Sequence, residues 1–432
     1  MSLKFGTDGV RAEALTVLTT QYVAALGRAA AEVLGGGPWL IGRDTRESGA
    51  ALEAAIAAGL AAAGAQPLSV GVVPTPALAW LSAQRGVPAA MITASHNPWQ
   101  DNGVKIFAVG GLKLSDDVER AIEALLQPEV AAPHTVVPAH GGYDEYAEHM
   151  VALGHSLAGV RVVLDCANGA MFEVAPKVFR SLGADVVVIH DSPDGRNIND
   201  HCGATHTDSL AAAVIAESAQ MGLAFDGDGD RVIAIDHLGN VIDGDRLIAL
   251  AAVQLRDEGA LHRDTVVVTV MSNLGFHKAM GAAGIEVVST AVGDRYVLEA
   301  LDAGGFSVGG EQSGHVIYRD LATTGDGLLA GIRLAQFVHD RGLPLADLAD
   351  EVMVSYPQVL VNVRVRARHP HVAAELAAEI EAAEGTLHGD GRILVRASGT
   401  EPLIRVMVEA ATQPVAQAVA DELAAIVFAR FG

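Results

Sequence analysis

Two short segments carry residue types that do chemistry as a pair. In Thr93-Ala94-Ser95-His96-Asn97-Pro98 one serine hydroxyl is presented on a turn. In Asp226-Gly227-Asp228-Gly229-Asp230-Arg231 three carboxylates alternate with glycines and an arginine follows. A hydroxyl able to carry a phosphoryl group, facing a three-aspartate cage for a cation, is the apparatus of metal-assisted phosphoryl transfer. Oxygen-only ligands suit a hard cation such as Mg2+, which takes about six oxygens and usually borrows some from a phosphate. Gly227 and Gly229 let the backbone wrap tightly enough for alternate carboxylates to converge. A calcium loop of the D-x-D-x-D-G-x5-E kind fails twice, because Arg231 stands where it needs glycine and His237 where it needs glutamate. A solvated acidic turn fits poorly between the apolar runs Leu223-Ala224-Phe225 and Val232-Ile233-Ala234-Ile235. Three carboxylates between buried strands repel one another unless a cation neutralises them.

The rest of the chain has to position these two segments. At 432 residues it is too long for one core, which predicts two to four domains. A net charge of −23 argues against nucleic acid or an anionic membrane as the main partner. An anionic small substrate remains compatible where arginines concentrate. Cys166 and Cys202 make neither a disulfide framework nor a thiolate metal site, so a reducing cytoplasm is expected. The N-terminus lacks an apolar signal core, and no uncharged apolar run approaches the roughly 18–20 residues that span a bilayer.

A strand-like run ending in a polar loop recurs three times, at residues 39–44, 162–168 and 266–273. Each is followed by a helix-period stretch, a glycine in C-cap position (Gly64, Gly183, Gly284) and a second β-branched run. This β–α–β unit, used three times, predicts three similar α/β domains with mainly parallel sheets covered by helices. One continuous doubly wound sheet is the alternative, and the wide spacing favours a domain for each unit. Breaks are expected near Ala132-Pro133-His134, residues 236–239 and Tyr356-Pro357, giving domains 1–140, 141–238, 239–356 and 357–432. The last domain reads as small α+β, with strands over 359–365, 392–395 and 403–409 and helices over 371–383 and 415–428.

Two further loops suit a phosphorylated polyol. The loop from Arg396 through Ser398, Gly399 and Thr400 to Arg405 offers two guanidinium forks, two hydroxyls and free backbone N–H groups, a set that suits a phosphate dianion. A plain Ser/Gly-rich hairpin turn is the alternative there. In Gly309-Gly310-Glu311-Gln312-Ser313-Gly314-His315 a carboxylate, an amide, a hydroxyl and an imidazole can hydrogen-bond sugar hydroxyls, or the segment is an ordinary turn between strands. A Ser95-His96 hydrolase pair is set aside, because sequence neighbours seldom face each other as nucleophile and base and no nucleophile-elbow glycines are present. Asp44 and Asn168 end strands and read as structural caps.

In order along the chain, these loops resemble the α-D-phosphohexomutase superfamily over its full length, and are most like its glucosamine-phosphate members. The opening Phe5-Gly6-Thr7-Asp8-Gly9-Val10-Arg11, the serine loop continued by Asp101-Asn102-Gly103-Val104-Lys105, and the run Gly293-Asp294-Arg295-Tyr296 carry the resemblance, with the sugar and phosphate loops. Ala12, where the family usually has glycine, and Trp99-Gln100, in place of its usual aromatic-rich pair, depart from the pattern without touching a reacting group.

The resemblance implies four domains around a central cleft, each giving one loop. It implies that Ser95 carries a phosphoryl group and that one Mg2+ is held by Asp226, Asp228, Asp230 and the oxygen on Ser95. It makes Lys105 and His315 general base and acid, with Arg11 and Arg231 steadying the serine loop. Glu311 and Ser313 hold the sugar hydroxyls, while Arg396, Ser398, Gly399, Thr400 and Arg405 anchor the phosphate. The implied reaction converts glucosamine 6-phosphate to glucosamine 1-phosphate through a bisphosphorylated sugar, which also primes the enzyme. The product would feed amino-sugar nucleotides for bacterial wall synthesis. Phosphomannomutase or phosphoglucomutase activity is the same-class alternative, and a non-catalytic sugar-phosphate binding protein the different-class one. The family is often dimeric through its first domain, so a homodimer is possible.

Overall fold

The computed structural model describes residues 3–6, 8–127, 137–139, 142–398 and 402–432. The chain forms two compact units, one of Met1–Met271 with Gly284–Val352, the other of Ser272–Ala283 with Met353–Gly432. The expected break at residues 132–134 lies outside the described residues.

Within the first unit three sheets share one plan. In the first, Gly37–Arg43 lies between the parallel strands Ala65–Val72 and Ala89–Ile92, and Asp101–Ala108 runs antiparallel to the latter. In the second, Arg161–Asp165 lies between Asp185–Ile189 and Met221–Phe225, with Val232–Asp236 antiparallel. In the third, Thr265–Thr269 lies between Glu286–Thr290 and Val308–Gly310, with Val316–Tyr318 antiparallel. Each sheet is thus mixed, a parallel core extended by an antiparallel strand. The central strand and the third parallel strand of each sheet are buried on both faces, while Ala65–Val72, Asp185–Ile189 and Glu286–Thr290 are partly open. Gly64, Gly183 and Gly284 adopt φ of +82°, +95° and +71°, the left-handed turn that ends each crossover helix and releases the chain into its next strand. The turn at residues 237–240 closes a further antiparallel pair within the second sheet, between Val232–Asp236 and Val241–Ile242.

This shared plan positions the chemistry. Residues 93–100, 226–231 and 311–315 all occupy the same station, the turn from the third parallel strand into the antiparallel fourth.

In the first sheet's layer, the helices Thr20–Leu34 and Gly49–Ala62 pack through small residues. A Cβ at Gly59 would lie 1.8 Å from the Ala24 carbonyl oxygen, and one at Gly27 would lie 2.5 Å from that of Ile56. The second unit is an antiparallel sheet with Leu403–Ala410 between Gln358–Arg364 and Gly391–Ala397. The helix Gln413–Phe431 covers it. The helix expected over 371–383 is instead two, Val372–Glu375 and Ala377–Thr386, with Leu376 off helical geometry between them. No helix among the described residues is long and apolar enough to cross a membrane.

Because an added methyl at Gly59 meets backbone rather than a movable side chain, Gly59→Ala is expected to cost about 2 kcal/mol or more in chemical denaturation, with far-UV dichroism of the folded protein unchanged. A second expectation concerns Asp326, which caps the helix Gly327–Arg341 by accepting from the Leu329 N–H and from the Tyr146 hydroxyl at 2.9 and 2.8 Å. Burial pushes its pKa up to about 6. A carboxyl whose folded pKa lies above its unfolded value favours the native state while protonated. Stability is therefore lost as pH rises from about 4 to about 6, by up to roughly 3 kcal/mol. Asp326→Asn keeps both hydrogen-bond positions and should flatten the fall in thermal midpoint across that window; an unchanged slope would place the titration elsewhere.

Candidate active site

Ser95 sits at the tip of the first of these turns with φ +53°, a left-handed conformation unusual for a residue with a Cβ, and is 1% exposed. Several neighbours hold it there. Its N–H donates to Thr93 Oγ1, and the Thr93 hydroxyl donates to Asp44 Oδ2, at 2.9 and 2.7 Å. Arg46, fully buried at its side chain, pairs with Asp44 and spends Nη2 on the carbonyl oxygens of Ser95 and Asn97 and Nη1 on those of Pro98 and Asp101. Asn199 donates to the Ser95 and Asn97 carbonyls from the second sheet's side. Sequence reading missed Arg46 and Asn199, and it read Asp44 as a cap. The only local signal for Arg46 is its place two residues after the strand-ending aspartate. Asn199 carries none, because its role depends on a contact across the fold.

The two segments meet. Ser95 Oγ donates to Asp226 Oδ2 at 2.6 Å. The approach is backbone-tight: a Cβ at Gly227 would lie 2.7 Å from the Ser95 carbonyl oxygen, and one at Gly169 would lie 2.5 Å from that of Gly227. Ser95 Oγ also lies 3.3 Å from His96 Nδ1, a contact the sequence argument did not expect. Burial, with Arg231 and Arg11 nearby, lowers the His96 pKa to about 4, so its imidazole is neutral.

Asp226, Asp228 and Asp230 are all buried, and their ligand oxygens lie within 4.8 Å of one another. Burial and the neighbouring Asp230 and Asp228 push the Asp226 pKa well up, so the cage is short of positive charge. Asp228 Oδ1 is buried without a hydrogen-bond partner, an uncompensated cost of roughly 1–3 kcal/mol, and Asp230 Oδ1 has only the long contacts to His315 and Arg231. All-oxygen donors, mutual repulsion and orphaned lone pairs fit a hard divalent cation.

Lys105 supplies the charge that is present. Its ammonium touches Asp8, Asp228 and Asp230 at 2.7, 2.8 and 2.9 Å. Burial opposes that charge, and the three carboxylates outweigh it, so the Lys105 pKa rises well above its ordinary value. The Thr75 hydroxyl also donates to Asp228. Arg231 gives its backbone N–H to Asp226 Oδ1 and lies 3.9 Å from Asp230, whereas Arg11 pairs with Asp8.

Beside the cage opens a cleft of about 410 Å³, lined by Asp8, Arg11, His96, Asp230, Arg231, Glu311 and His315 among others. His315 is 2% exposed, with Nδ1 3.6 Å from Asp230 and Nε2 accepting from the Gly325 N–H at 3.2 Å. Burial opposes its protonation, but Asp230 and Asp294 raise its pKa. Glu311 accepts from the Gly293 N–H and faces the cleft, while Ser313 is exposed on the same turn. In the second unit, Arg396 and Arg405 stand directly opposite across two antiparallel strands. Burial and Arg405 lower the Arg396 pKa, and Arg405 Nε is buried without a partner. Two facing guanidinium groups are costly without an anion. Ser398 is buried next to them; Gly399 and Thr400 lie outside the described residues.

Four sequence families match consecutive parts of the chain: phosphoglucomutase/phosphomannomutase alpha/beta/alpha domain I at residues 2–131, domain II at 144–239, domain III at 243–356 and the C-terminal domain at 360–426. The phosphoglucosamine mutase of Frankia alni is 51% identical over 99% of this chain and 98% of its own, and that of Thermobifida fusca is 50% identical over 99% and 98%. Among solved structures, a phosphoglucomutase/phosphomannomutase family protein from Burkholderia thailandensis superposes with a TM-score of 0.82 at 24% identity, covering 98% of this chain and 97% of the other. The N-acetylphosphoglucosamine mutase of Aspergillus fumigatus, in complex with GlcNAc-6P and magnesium, gives 0.73 at 20% identity, covering 100% and 96%. With its loops, its repeated fold and these relatives in agreement, the chain belongs to the α-D-phosphohexomutase superfamily and, within it, is most like the phosphoglucosamine mutases.

Proposed function

We propose that the protein interconverts glucosamine 6-phosphate and glucosamine 1-phosphate by way of a phosphorylated Ser95 and a bisphosphorylated sugar. The observation that carries the reading is the 2.6 Å contact between Ser95 Oγ and Asp226, which puts the one hydroxyl of the turn on the edge of the carboxylate cage. In the first half-reaction the bond between phosphorus and Ser95 Oγ breaks as the free hydroxyl oxygen of the sugar bonds to phosphorus; the sugar hydroxyl proton passes to a nearby base and the departing serine oxygen takes a proton, which it gives up again when it is rephosphorylated. In the second half-reaction the other phosphate of the bisphosphate returns to Ser95, its sugar oxygen takes a proton, and the enzyme regains its starting state.

We assign those protons to Lys105 and His315, a reading supported by their position beside the cage, 2.9 and 3.6 Å from Asp230. In the resting arrangement Lys105 holds its proton more tightly than usual and is an electrostatic partner of the transferring group, while His315 presents Nδ1 to Asp230. Asp226, Asp228 and Asp230, with an oxygen on Ser95, would hold Mg2+, which when bound offsets their charge and that of the phosphoryl group. Arg11 and Arg231, in the cleft, neutralise the moving charge. Arg396, Ser398 and Arg405, with Gly399 and Thr400, bind the phosphate that stays on the sugar. Glu311 and Ser313 take the ring hydroxyls, contacts that tolerate two orientations of the sugar better than an apolar pocket would. Relatives named phosphoglucosamine mutase at about 50% identity support the amino sugar over glucose or mannose. We read the same protein as cytoplasmic, consistent with its free buried cysteines, as homodimeric, and as four domains over 1–140, 141–238, 239–356 and 357–432.

Purified protein should carry one phosphate on Ser95 by mass spectrometry. Ser95→Ala should lower turnover by roughly three orders of magnitude or more in a coupled assay with glucosamine 6-phosphate. Turnover undiminished in that variant would refute the phosphoserine route, and higher turnover with glucose or mannose phosphate would refute the sugar assignment. A distinct check uses Gly227→Ala, whose methyl would push the serine carbonyl away. Activity should fall by about 100-fold in protein that remains folded by far-UV dichroism, since a 1 Å misplacement of reacting groups has that effect.

A further inference from the structure

The second sheet holds a cluster that the mutase reaction does not use. Asp165 ends its central strand, His190 follows the neighbouring parallel strand, and Cys202 precedes the short turn Gly203–Thr205. The carboxyl ends of adjacent parallel strands are where open α/β sheets bind ligands. One ligand atom from each of the three residues lies within 4.8 Å of the others. Asp165 and Cys202 are fully buried; His190 is partly open, which leaves an entry path. We propose that Asp165, His190 and Cys202 form a second metal site, for a borderline-soft divalent ion such as zinc.

The donor set is the argument. One sulfur, one nitrogen and one oxygen make up three of the four positions of a zinc tetrahedron, leaving one for water, and differ in kind from the all-oxygen cage. Ligand atoms around zinc stand roughly 3.5 Å apart, so a small closure of the present arrangement suffices. His190 Nδ1 lies 3.1 Å from Asp165 Oδ1, so the imidazole already faces the carboxylate it would share a metal with, and binding would replace the proton between them. The carboxylate is already oriented, with the Ala167 and Gly203 N–H groups each donating to it at 2.9 Å. Such outer contacts are what fix a ligand for its metal. Ala167, Asn168, His190 and Asn199 around the cluster all hold left-handed φ between +47° and +57°. Cys202 does not ionise alone, because burial and Asp165 push its thiol up to about 12. On binding, the S–H bond breaks, a metal–sulfur bond forms and the proton leaves to solvent, so affinity rises with pH.

Occupancy would also reach the active site. Asn168 donates to the Asn197 carbonyl, and Asn199 holds the Ser95 carbonyl at 2.9 Å, so an ion on Cys202 would tether the segment that steadies the serine loop. The test uses full-length protein stripped with chelator and kept in excess Mg2+, titrated with Co2+. One equivalent should produce a thiolate-to-cobalt absorption band in the near ultraviolet, bleached by Zn2+. Cys202→Ser should abolish the band, and His190→Ala should weaken Zn2+ affinity by roughly 100-fold. No band in the wild type, a band that survives Cys202→Ser, or Zn2+ affinity unmoved by His190→Ala would each overturn the site. Should Cys202→Ser fail to fold, the partly exposed His190→Ala decides alone.

Discussion

The buried ammonium of Lys105 stands among more carboxylates than it can satisfy, and the site is organised around that imbalance. Lys105 reaches Asp8, Asp228 and Asp230, yet Asp226 is left against like charges and Asp228 Oδ1 remains unpartnered. A buried arrangement of this kind is unstable as an isolated charge set and stable with a cation or a phosphoryl group's counter-ions around it. The cage therefore carries a charge imbalance that its own neighbours do not cancel. The same shortage explains why Ser95, which would place further negative charge beside Asp226 when phosphorylated, is fixed through its carbonyl oxygen by Arg46 and Asn199.

Repetition makes the convergence possible. Each of three sheets places a turn at the same topological station, after its third parallel strand, so three copies of one plan present Ser95, the three aspartates and the Glu311–His315 loop. Close backbone approach then sets the distance. Gly227 leaves no room for a Cβ against the Ser95 carbonyl, and Gly169 leaves none against Gly227. A hydroxyl and a carboxylate can meet at 2.6 Å only because the loops carrying them touch through glycine.

The repeat itself was legible in the residues. Valine-rich runs ended by polar loops, and helices ended by Gly64, Gly183 and Gly284, follow from local rules of burial and left-handed capping. The structure has these glycines in that conformation. The stretch at residues 236–239 illustrates the opposite case. Its turn residues suit a domain break and a hairpin equally, and the hairpin that pairs Val241–Ile242 with Val232–Asp236 is visible only in the fold. The helix expected over 371–383 is interrupted at Leu376, whose backbone leaves helical geometry while its buried side chain stays in the core with Val372.

By itself the sequence determined which groups are available: a serine on a turn, three alternating aspartates, a glutamate and histidine on a glycine-rich loop, and two arginines flanking a hairpin. It determined these because side-chain chemistry and short-range turn preferences are local. The tertiary structure alone decided what each group does with its proton and its neighbours. Asp44 and Arg46 became a brace for Ser95, His96 lost its charge, Lys105 kept its own, and two cysteines with no partner in sequence acquired a histidine and an aspartate beside one of them. Burial and electrostatic coupling depend on distances across the fold, and no spacing along the chain encodes them.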